Sequence, residues 1–278
     1  MKLTYHGTAA AEAFPGMFCT CDTCERARKE GGRSLRGRSQ ALVNDDLLID
    51  FPADTCMRVL AGKLDLPHIY HCLITHSHND HFYPSDVQMR YPVYAHMDEK
   101  EEKPFTFYGT ADVKSKWDAV VNRMGVNENR MRFQSVTPFE TFTIGRYTIT
   151  PMEADHAPDT YPVFYLINDG EKNLLYAHDT GYFPDATWEW LEQHRPQLAM
   201  VSLDCTSGPL PNWRRHHMNF ECIAEVLERL RSIGCVTDDT VCYAHHFSHN
   251  CGLTYSEMVP VAAKYGLSVS YDGCEVEF

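Results

Sequence analysis

Four metal-binding side chains lie within six consecutive residues of this 278-residue chain, in the run His-Ser-His-Asn-Asp-His at residues 76–81. The run follows an apolar segment, residues 69–74, which predicts a buried strand. If the chain stays extended past that strand, His76 and His78 project from the same side, and Asp80 and His81 follow in the turn. Nitrogen and carboxylate ligands suit Zn²⁺, Mn²⁺ or Fe. The spacing therefore favours a hydrolytic metal centre over a polar loop that happens to be rich in histidine.

Composition limits the classes of partner and compartment. A hydrophobic content of 44% is ample for a buried core, and a net charge of −13 should repel nucleic acid and anionic membranes. No apolar run of about eighteen residues predicts a membrane span, and no secretory signal is visible. Eleven cysteines are then better interpreted as reduced thiols and metal ligands than as disulfides. We expect a cytoplasmic protein.

Strand and helix patterns interleave along the chain, which predicts an α+β fold with sheets covered by helices. Residues 141–144 and 147–150 predict a hairpin. Further strand patterns cover residues 2–6, 47–50, 69–75, 92–95, 163–167, 173–177, 198–203, 240–244 and 267–271. Helical patterns cover residues 54–61, 111–123, 185–194, 220–231 and 255–264.

No linker or internal repeat divides the chain, so we predict one domain over residues 1–278. The charged segment 97–133 carries equal numbers of basic and acidic residues. We interpret it as a helical insertion near the site, with a solvated excursion of no functional role as the alternative.

Further ligand candidates follow four other predicted strands. They are Asp155 and His156, His178 and Asp179, Asp204, and His245 and His246. A single histidine or aspartate at a strand end is usually an ordinary loop residue. Four such ends favour a shared site, because layered α/β folds assemble sites at the carboxyl ends of strands.

The run at residues 76–81, followed by His156, Asp179 and His246 in that order, resembles the metallo-β-lactamase superfamily. The resemblance implies a four-layered αββα sandwich with a binuclear metal site at one edge. It also implies that Asp50, at the end of the predicted strand 47–50, supports the site without binding metal.

The same resemblance implies the ligand sets. The first divalent ion, Zn or Mn, is held by His76, His78 and His156. The second is held by Asp80, His81 and His246, and Asp179 bridges the two. Asp80 is also counted among the catalytic residues. With a bridging hydroxide, such a centre keeps about one positive charge, which suits an anionic phosphodiester.

A second cluster lies near the N-terminus, where Cys19-x-Cys21-x-x-Cys24 offers three thiolates to a structural zinc that needs one more ligand. This array resembles the PhnP phosphodiesterase subfamily. The resemblance implies that His249, three residues after His246, completes the site, with Cys251 as a competing ligand. The zinc would tie the N-terminal loop to the loop that carries His246.

The segment Arg214-Arg215-His216-His217 precedes the predicted helix 220–231. In PhnP-like enzymes a histidine here serves as acid or base toward the leaving oxygen, a role that suits a pKa near neutrality. His217 matches best, and His216 is the alternative. Arg214 and Arg215 either favour a substrate with an extra phosphate or are solvated.

The basic stretch 26–38 either faces the anionic end of the substrate or is a solvated loop.

We therefore expect a metal-dependent phosphodiesterase acting on a small phosphodiester, a cyclic ribosyl phosphate being one candidate. Three alternatives stay open: a tRNA-processing endonuclease, which would need a basic docking arm; a non-hydrolytic protein similar to PqqB or a metal-binding accessory protein; and a lactonase or thioesterase. We expect neither DNA nor a membrane as a partner. A homodimer is compatible with the sequence.

Overall fold

The computed structural model of the chain describes residues 1–97, 103–123, 125 and 127–278. In these ranges the strands are β1 (Lys2–Gly7), β2 (Gln40–Val43), β3 (Leu47–Ile49), β4 (His71–Leu73), β5 (Phe105–Gly109), β6 (Met131–Ser135), β7 (Phe142–Ile144), β8 (Tyr147–Glu153), β9 (Val163–Asn168), β10 (Asn173–Ala177), β11 (Leu198–Asp204), β12 (Val241–His245), β13 (Ser268–Val269) and β14 (Cys274–Glu277). The α-helices there are α1 (Asp22–Glu30), α2 (Thr55–Leu60), α3 (Ala111–Val121), α4 (Asp185–His194), α5 (Phe220–Ser232) and α6 (Tyr255–Ala262). None of these helices combines the length and apolar composition that crossing a bilayer requires.

The strands pair into two sheets, in the orders β14-β1-β2-β3-β4-β5-β6 and β13-β12-β11-β10-β9-β8-β7. Each sheet is antiparallel on one side and parallel on the other. Strands β3 to β6 are parallel in the first sheet, and β10 to β13 are parallel in the second. Parallel neighbours need crossover connections. Helix α2 lies between β3 and β4, α3 between β5 and β6, and α4, α5 and α6 between successive strands from β10 to β13. The parallel halves therefore direct several strand ends to one edge of the molecule.

Apolar clusters separate four layers. Between the sheets lie buried side chains such as Tyr165 and Tyr176. Helix α3 buries Trp117 against the outer face of the first sheet. Helices α4 and α5 bury Trp188 and Ile223 against the outer face of the second sheet. This order of helix, sheet, sheet and helix confirms the predicted αββα sandwich.

Helix α5 shows how the sequence positions a functional loop. Its buried side chains recur at helical spacing, from Phe220 through Ile223 to Leu230. The Asn219 side chain caps the helix by accepting a hydrogen bond from the Cys222 backbone N–H at 2.8 Å. The start of α5 is thus well defined, and the loop between β11 and α5 ends at a rigid point.

Several predicted elements are wrong. Residues 92–95 form a turn, because the Tyr94 and Ala95 amides both donate to the Tyr91 carbonyl. Strands β2, β5, β6 and β14 and helix α1 were not predicted. The described part of segment 97–133 forms β5, α3 and β6. The two strands belong to the first sheet and α3 packs against them, so the prediction of a helical insertion is wrong there. Both strands have only five residues, which is too short for a clear periodic pattern. Residues 98–102, 124 and 126 of that segment lie outside the described residues.

A buried hydrogen bond joins the two sheets beside the histidine run. The Tyr165 hydroxyl on β9 donates to the Ile74 carbonyl at 2.7 Å. In a Tyr165→Phe variant this buried carbonyl loses its partner, so we expect the free energy of unfolding to fall by about 1–3 kcal/mol. Urea denaturation of chelator-treated protein measures it, with Tyr94→Phe, an exposed tyrosine, as the matched control. Equal stability of both variants would contradict the role of this bond.

Candidate active site

The predicted ligands of the first ion converge on one point. His76 Nε2 lies 2.9 Å from His78 Nδ1, which in turn lies 3.4 Å from His156 Nε2. His76 and His78 follow strand β4, and His156 follows β8 of the opposite sheet. Three imidazole nitrogens from two sheets thus form one potential metal site.

The predicted ligands of the second ion form a neighbouring group. His81 Nε2 lies 3.2 Å from Asp80 Oδ2 and 2.5 Å from Asp179 Oδ2. His246 Nε2 lies 3.1 Å from the same Asp179 oxygen. The other Asp179 oxygen, Oδ1, lies 3.8 Å from His156 Nε2 in the first group. Asp179 therefore spans the two groups, which is the position of a bridging carboxylate.

The donor atoms fit metal ions better than they fit one another. His81 Nε2, His246 Nε2 and Asp179 Oδ2 are buried, and among the described residues none of the three has a partner in hydrogen-bond geometry. Buried polar atoms without such a partner are costly. Atoms that approach closely without hydrogen-bond alignment are typical of ligands directed at a common ion. The site thus passes a chemical test for two divalent metals.

Outer hydrogen bonds orient the ligand rings. His81 Nδ1 lies 2.7 Å from Asp50 Oδ2, and Asp50 also accepts the Thr75 backbone amide at 2.9 Å. His246 Nδ1 contacts the Thr206 hydroxyl at 2.8 Å, and His156 Nδ1 contacts the His216 carbonyl at 3.1 Å. Such partners fix the tautomer and orientation of metal-binding histidines. Asp50 thus lies where the resemblance implies, outside the ligand groups.

Three site residues adopt left-handed backbone conformations just after strands. The φ angles are 65° at Asp50, 50° at Asp179 and 61° at His246. For a residue other than glycine this costs about 1–3 kcal/mol and is typical of functional sites. The turns direct these side chains along the sheet edge, where the centre forms.

Asp204 holds the adjacent loop. This buried carboxylate accepts the backbone amides of Asp179, Thr206 and Met218 at 3.1, 3.0 and 3.0 Å. It also contacts His217 Nδ1 at 3.1 Å. Because its oxygens are engaged in this way, Asp204 positions other groups. Its place at a strand end was the signal that made it a candidate.

The His217 side chain lines a cavity beside the metal groups, whereas the His216 side chain does not. This cavity has a volume of about 460 Å³ and is also lined by His78, Asp80 and Asp179. Its Nδ1 is held by Asp204, and no described residue hydrogen-bonds Nε2. Burial alone would lower the pKa of His217, but the carboxylates of Asp204 and Asp179 outweigh burial and raise it. His216 is exposed, with its Nδ1 at 3.0 Å from the His156 carbonyl.

Gly181 allows the loop of His216 and His217 to approach the centre. A Cβ atom at this position would lie 2.4 Å from the Arg214 carbonyl and 2.8 Å from the His216 amide nitrogen. Asp155, one of the ligand candidates at strand ends, accepts a hydrogen bond from Arg215 Nε at 2.7 Å and holds the same loop.

Lys116 is a residue that the sequence analysis missed. It lies on α3, and its ammonium group donates to the Ser77 and Phe82 carbonyls and to Asn79 Oδ1. Lys116 therefore stabilises the turn that carries the histidine run. No local pattern marks it, because its partners lie more than thirty residues away in sequence.

The second predicted cluster also comes together. Cys19, Cys21, Cys24 and His249 place their ligand atoms within 4.8 Å of one another. His249 Nδ1 lies 3.6 Å from Cys19 Sγ and 3.5 Å from Cys21 Sγ. Cys251, the competing ligand, lies outside this group and directs its thiol to the Leu253 carbonyl.

The thiols of this cluster differ in environment. The backbone N–H of Cys24 lowers the pKa of the exposed Cys21 to about 6, whereas burial raises the pKa of Cys24 to about 12. Four soft donors in a closed arrangement are typical of a structural zinc site.

The basic stretch 26–38 does not line the candidate cavity. Arg26 pairs with Asp22 and Glu257, and Arg38 pairs with Asp54. Arg38 also donates to the carbonyl of Ala11, which lines the cavity, so the stretch borders the cavity without adding a side chain to its lining. That it faces an anionic end of the substrate stays a prediction.

A family comparison places this geometry among known proteins. The model of the beta-lactamase superfamily domain matches residues 48–246. This chain belongs to the metallo-β-lactamase superfamily. The resemblance stated from the histidine run is thereby confirmed. No curated protein sequence matches the chain.

Solved structures of the metallo-β-lactamase fold resemble the chain over its whole length. A diphosphatase from the PhnP family has 19% identity and a TM-score of 0.73, covering 100% of this chain and 97% of that one. Zn²⁺-bound PqqB from Methylobacterium extorquens has 18% identity and a TM-score of 0.73, covering 100% of both. The short form of human tRNase Z has 12% identity and a TM-score of 0.61, covering 100% and 99%. At these identities the likeness establishes the fold.

The Cys19, Cys21, Cys24 and His249 cluster can be tested by metal analysis. A Cys21→Ser variant replaces a thiolate with a weak ligand, so we expect it to lose about one zinc per chain and to keep the metals of the histidine groups. Cys56→Ser, which changes an exposed cysteine outside the cluster, is the matched control. Unchanged zinc content in Cys21→Ser would contradict the structural site.

Proposed function

We propose that this chain is a metal-dependent phosphodiesterase that hydrolyses a small phosphodiester, with cyclic phosphodiesters as one candidate class. The observation that carries the proposal is the carboxylate of Asp179 spanning two donor groups, with His217 beside them on the same cavity wall. His76, His78 and His156 would hold one divalent ion, Zn or Mn. Asp80, His81 and His246 would hold the other.

The metals and the side chains have separate tasks. Two bound divalent ions would supply Lewis acidity that ionises a water near neutral pH and stabilises charge on the phosphoryl oxygens. Hydrolysis forms one P–O bond to the water oxygen and breaks the P–O bond to the leaving alcohol. His217 donates a proton to that leaving oxygen through Nε2. Asp204 holds the ring for this transfer through Nδ1.

Features outside the centre support the PhnP-like assignment. The Cys19, Cys21, Cys24 and His249 cluster is the array on which that resemblance rests, and a PhnP-family diphosphatase has the same fold. All eleven cysteines are free, which agrees with a reducing compartment, and we propose a cytoplasmic location. The net charge of −13 disfavours a nucleic-acid substrate, so the tRNA-processing alternative is the weaker one.

A non-hydrolytic metal protein is the second candidate. Zn²⁺-bound PqqB matches the fold with the same TM-score of 0.73. His217, with its free Nε2 at the cavity, favours catalysis over this candidate. Lactonase activity would use the same metal groups. The panel of cyclic phosphates described below distinguishes it from phosphodiesterase activity.

Phosphorus NMR tests the reaction directly. Protein loaded with Mn²⁺ or Zn²⁺ should convert a cyclic phosphodiester into a single monoester. A His76→Ala variant should lose this turnover, because it removes a ligand from the first group. Turnover that persists in His76→Ala would indicate a contaminant. No turnover across a panel of cyclic phosphates would favour the lactonase and non-hydrolytic candidates.

The role of His217 can be tested by changing the leaving group. For an alkyl phosphodiester, His217→Ala should lower kcat by about 10²–10⁴-fold, because the alkoxide then leaves without a proton. For a nitrophenyl diester, whose leaving group needs no proton, the loss should be much smaller. His216→Ala separates the two candidate histidines and should lose far less with the alkyl substrate. Equal losses with both leaving groups would contradict the acid role.

A further inference from the structure

The candidate cavity has two unlike walls. One wall carries the metal-binding groups with His217. The other is built by three loops, which contribute Ala10 and Glu12, Leu210 and Trp213, and Ser248 and Asn250. The first wall would hold the reacting phosphate, so the second wall faces the rest of the substrate. This division rests on the function proposed above.

The second wall contains no cation among its described residues. Its lining includes neither lysine nor arginine, and its one charged side chain is Glu12. The nearby arginines have partners of their own. Arg38 donates to the carbonyl of Ala11, a residue of this wall, at 2.9 Å and pairs with Asp54. Arg214 pairs with Glu225 and lies over the Tyr182 ring, and Arg215 pairs with Asp155. A second phosphate on the substrate would therefore find no counter-charge on this wall.

Glu12 is held in place. Its Oε1 accepts a hydrogen bond from the Ser248 hydroxyl at 2.5 Å and lies 3.7 Å from His249 Nε2. No described residue donates to Oε2. His249 belongs to the cysteine cluster, so the cluster and Ser248 together restrict the movement of this carboxylate. A fixed carboxylate with a free oxygen accepts hydroxyl or amino donors and repels an anion.

Trp213 completes the wall with an aromatic surface. Its side chain is 44% exposed, and its ring stacks on no other described aromatic ring. An open aromatic face in a cavity is suited to an uncharged ring or sugar.

We propose that Glu12 is a specificity-determining residue that excludes phosphodiesters carrying a second anionic group and favours those whose remaining part is uncharged and bears hydroxyl donors. The metal groups alone would bind phosphodiesters with and without a second anionic group equally well, and Glu12 would discriminate between them. It opposes the expectation, raised by Arg214 and Arg215, that the substrate carries an extra phosphate.

A matched pair of substrates tests the proposal: a nucleoside 2′,3′-cyclic phosphate and the same compound with an added 5′-phosphate. The metal-loaded wild type should prefer the first in kcat/KM by at least about tenfold. Glu12→Gln keeps an oxygen for Ser248 but removes the charge. It should raise kcat/KM for the 5′-phosphorylated substrate and reduce the preference about tenfold. Glu189→Gln removes the same charge from an exposed position outside the cavity and should keep the wild-type preference.

The outcomes separate this proposal from the proposed function. Turnover of both substrates with no preference, or a preference that survives in Glu12→Gln, overturns the role of Glu12 and leaves the phosphodiesterase assignment intact. If neither is hydrolysed, calorimetric binding of the same two compounds decides. If the wild type binds the compound without the 5′-phosphate more tightly and Glu12→Gln loses this preference, the role of Glu12 in specificity is supported even though the phosphodiesterase activity is not. If the wild type binds both compounds equally, the role of Glu12 is overturned. Unchanged zinc content in Glu12→Gln shows that the effect does not arise from a disrupted cysteine cluster.

Discussion

Asp179 places one carboxylate between two groups of histidines, with Oδ1 3.8 Å from His156 and Oδ2 2.5 Å from His81. Burial alone would raise the pKa of this carboxyl, but His246, His81 and His156 hold it well below its usual range. A buried charge persists only when opposite charges or metals surround it. The ligands of both groups must therefore be brought to Asp179, and the arrangement of the two sheets achieves this.

The sandwich offsets the strain of that arrangement. Asp50, Asp179 and His246 all take positive φ angles where their strands end, and each is held by contacts that the fold supplies. Asp50 is bound by Thr75, Asp179 by Asp204, and His246 by Thr206 through its outer ring nitrogen. The contact between Tyr165 and the Ile74 carbonyl ties the two sheets directly before the histidine run. The contacts of the packed core thus hold these strained backbone conformations in place.

The cysteine cluster connects the centre to the opposite cavity wall. His249 follows His246 by three residues, and the same His249 lies beside Glu12 from the N-terminal loop. A structural zinc there would hold a ligand-bearing loop and a substrate-facing carboxylate in one rigid unit. One wall carries the donor groups for metal and the other is neutral or acidic, so the proposed substrate would meet unlike surfaces at its two ends.

The local patterns were sufficient for the family and for the order of the ligands. Residues 76–81 carry four donors in an unusual spacing, and His156, Asp179 and His246 follow predicted strands. The strand ends made these three residues candidates, and the resemblance to the superfamily selected them as ligands. The segment 97–133 was misinterpreted because short strands with charged neighbours carry little periodic signal. The contacts of Lys116 and Arg215 could not be predicted, since their partners, Ser77 and Asp155, are distant in sequence.

The sequence by itself determined which residues can bind metal, because side-chain chemistry and spacing along one strand are local properties. Only the tertiary structure decided which donors come together, that the side chain of His217 and not that of His216 lines the cavity, and that Glu12 lines the same cavity. These are distances between segments from different sheets and loops, and they are set by how the two sheets pack.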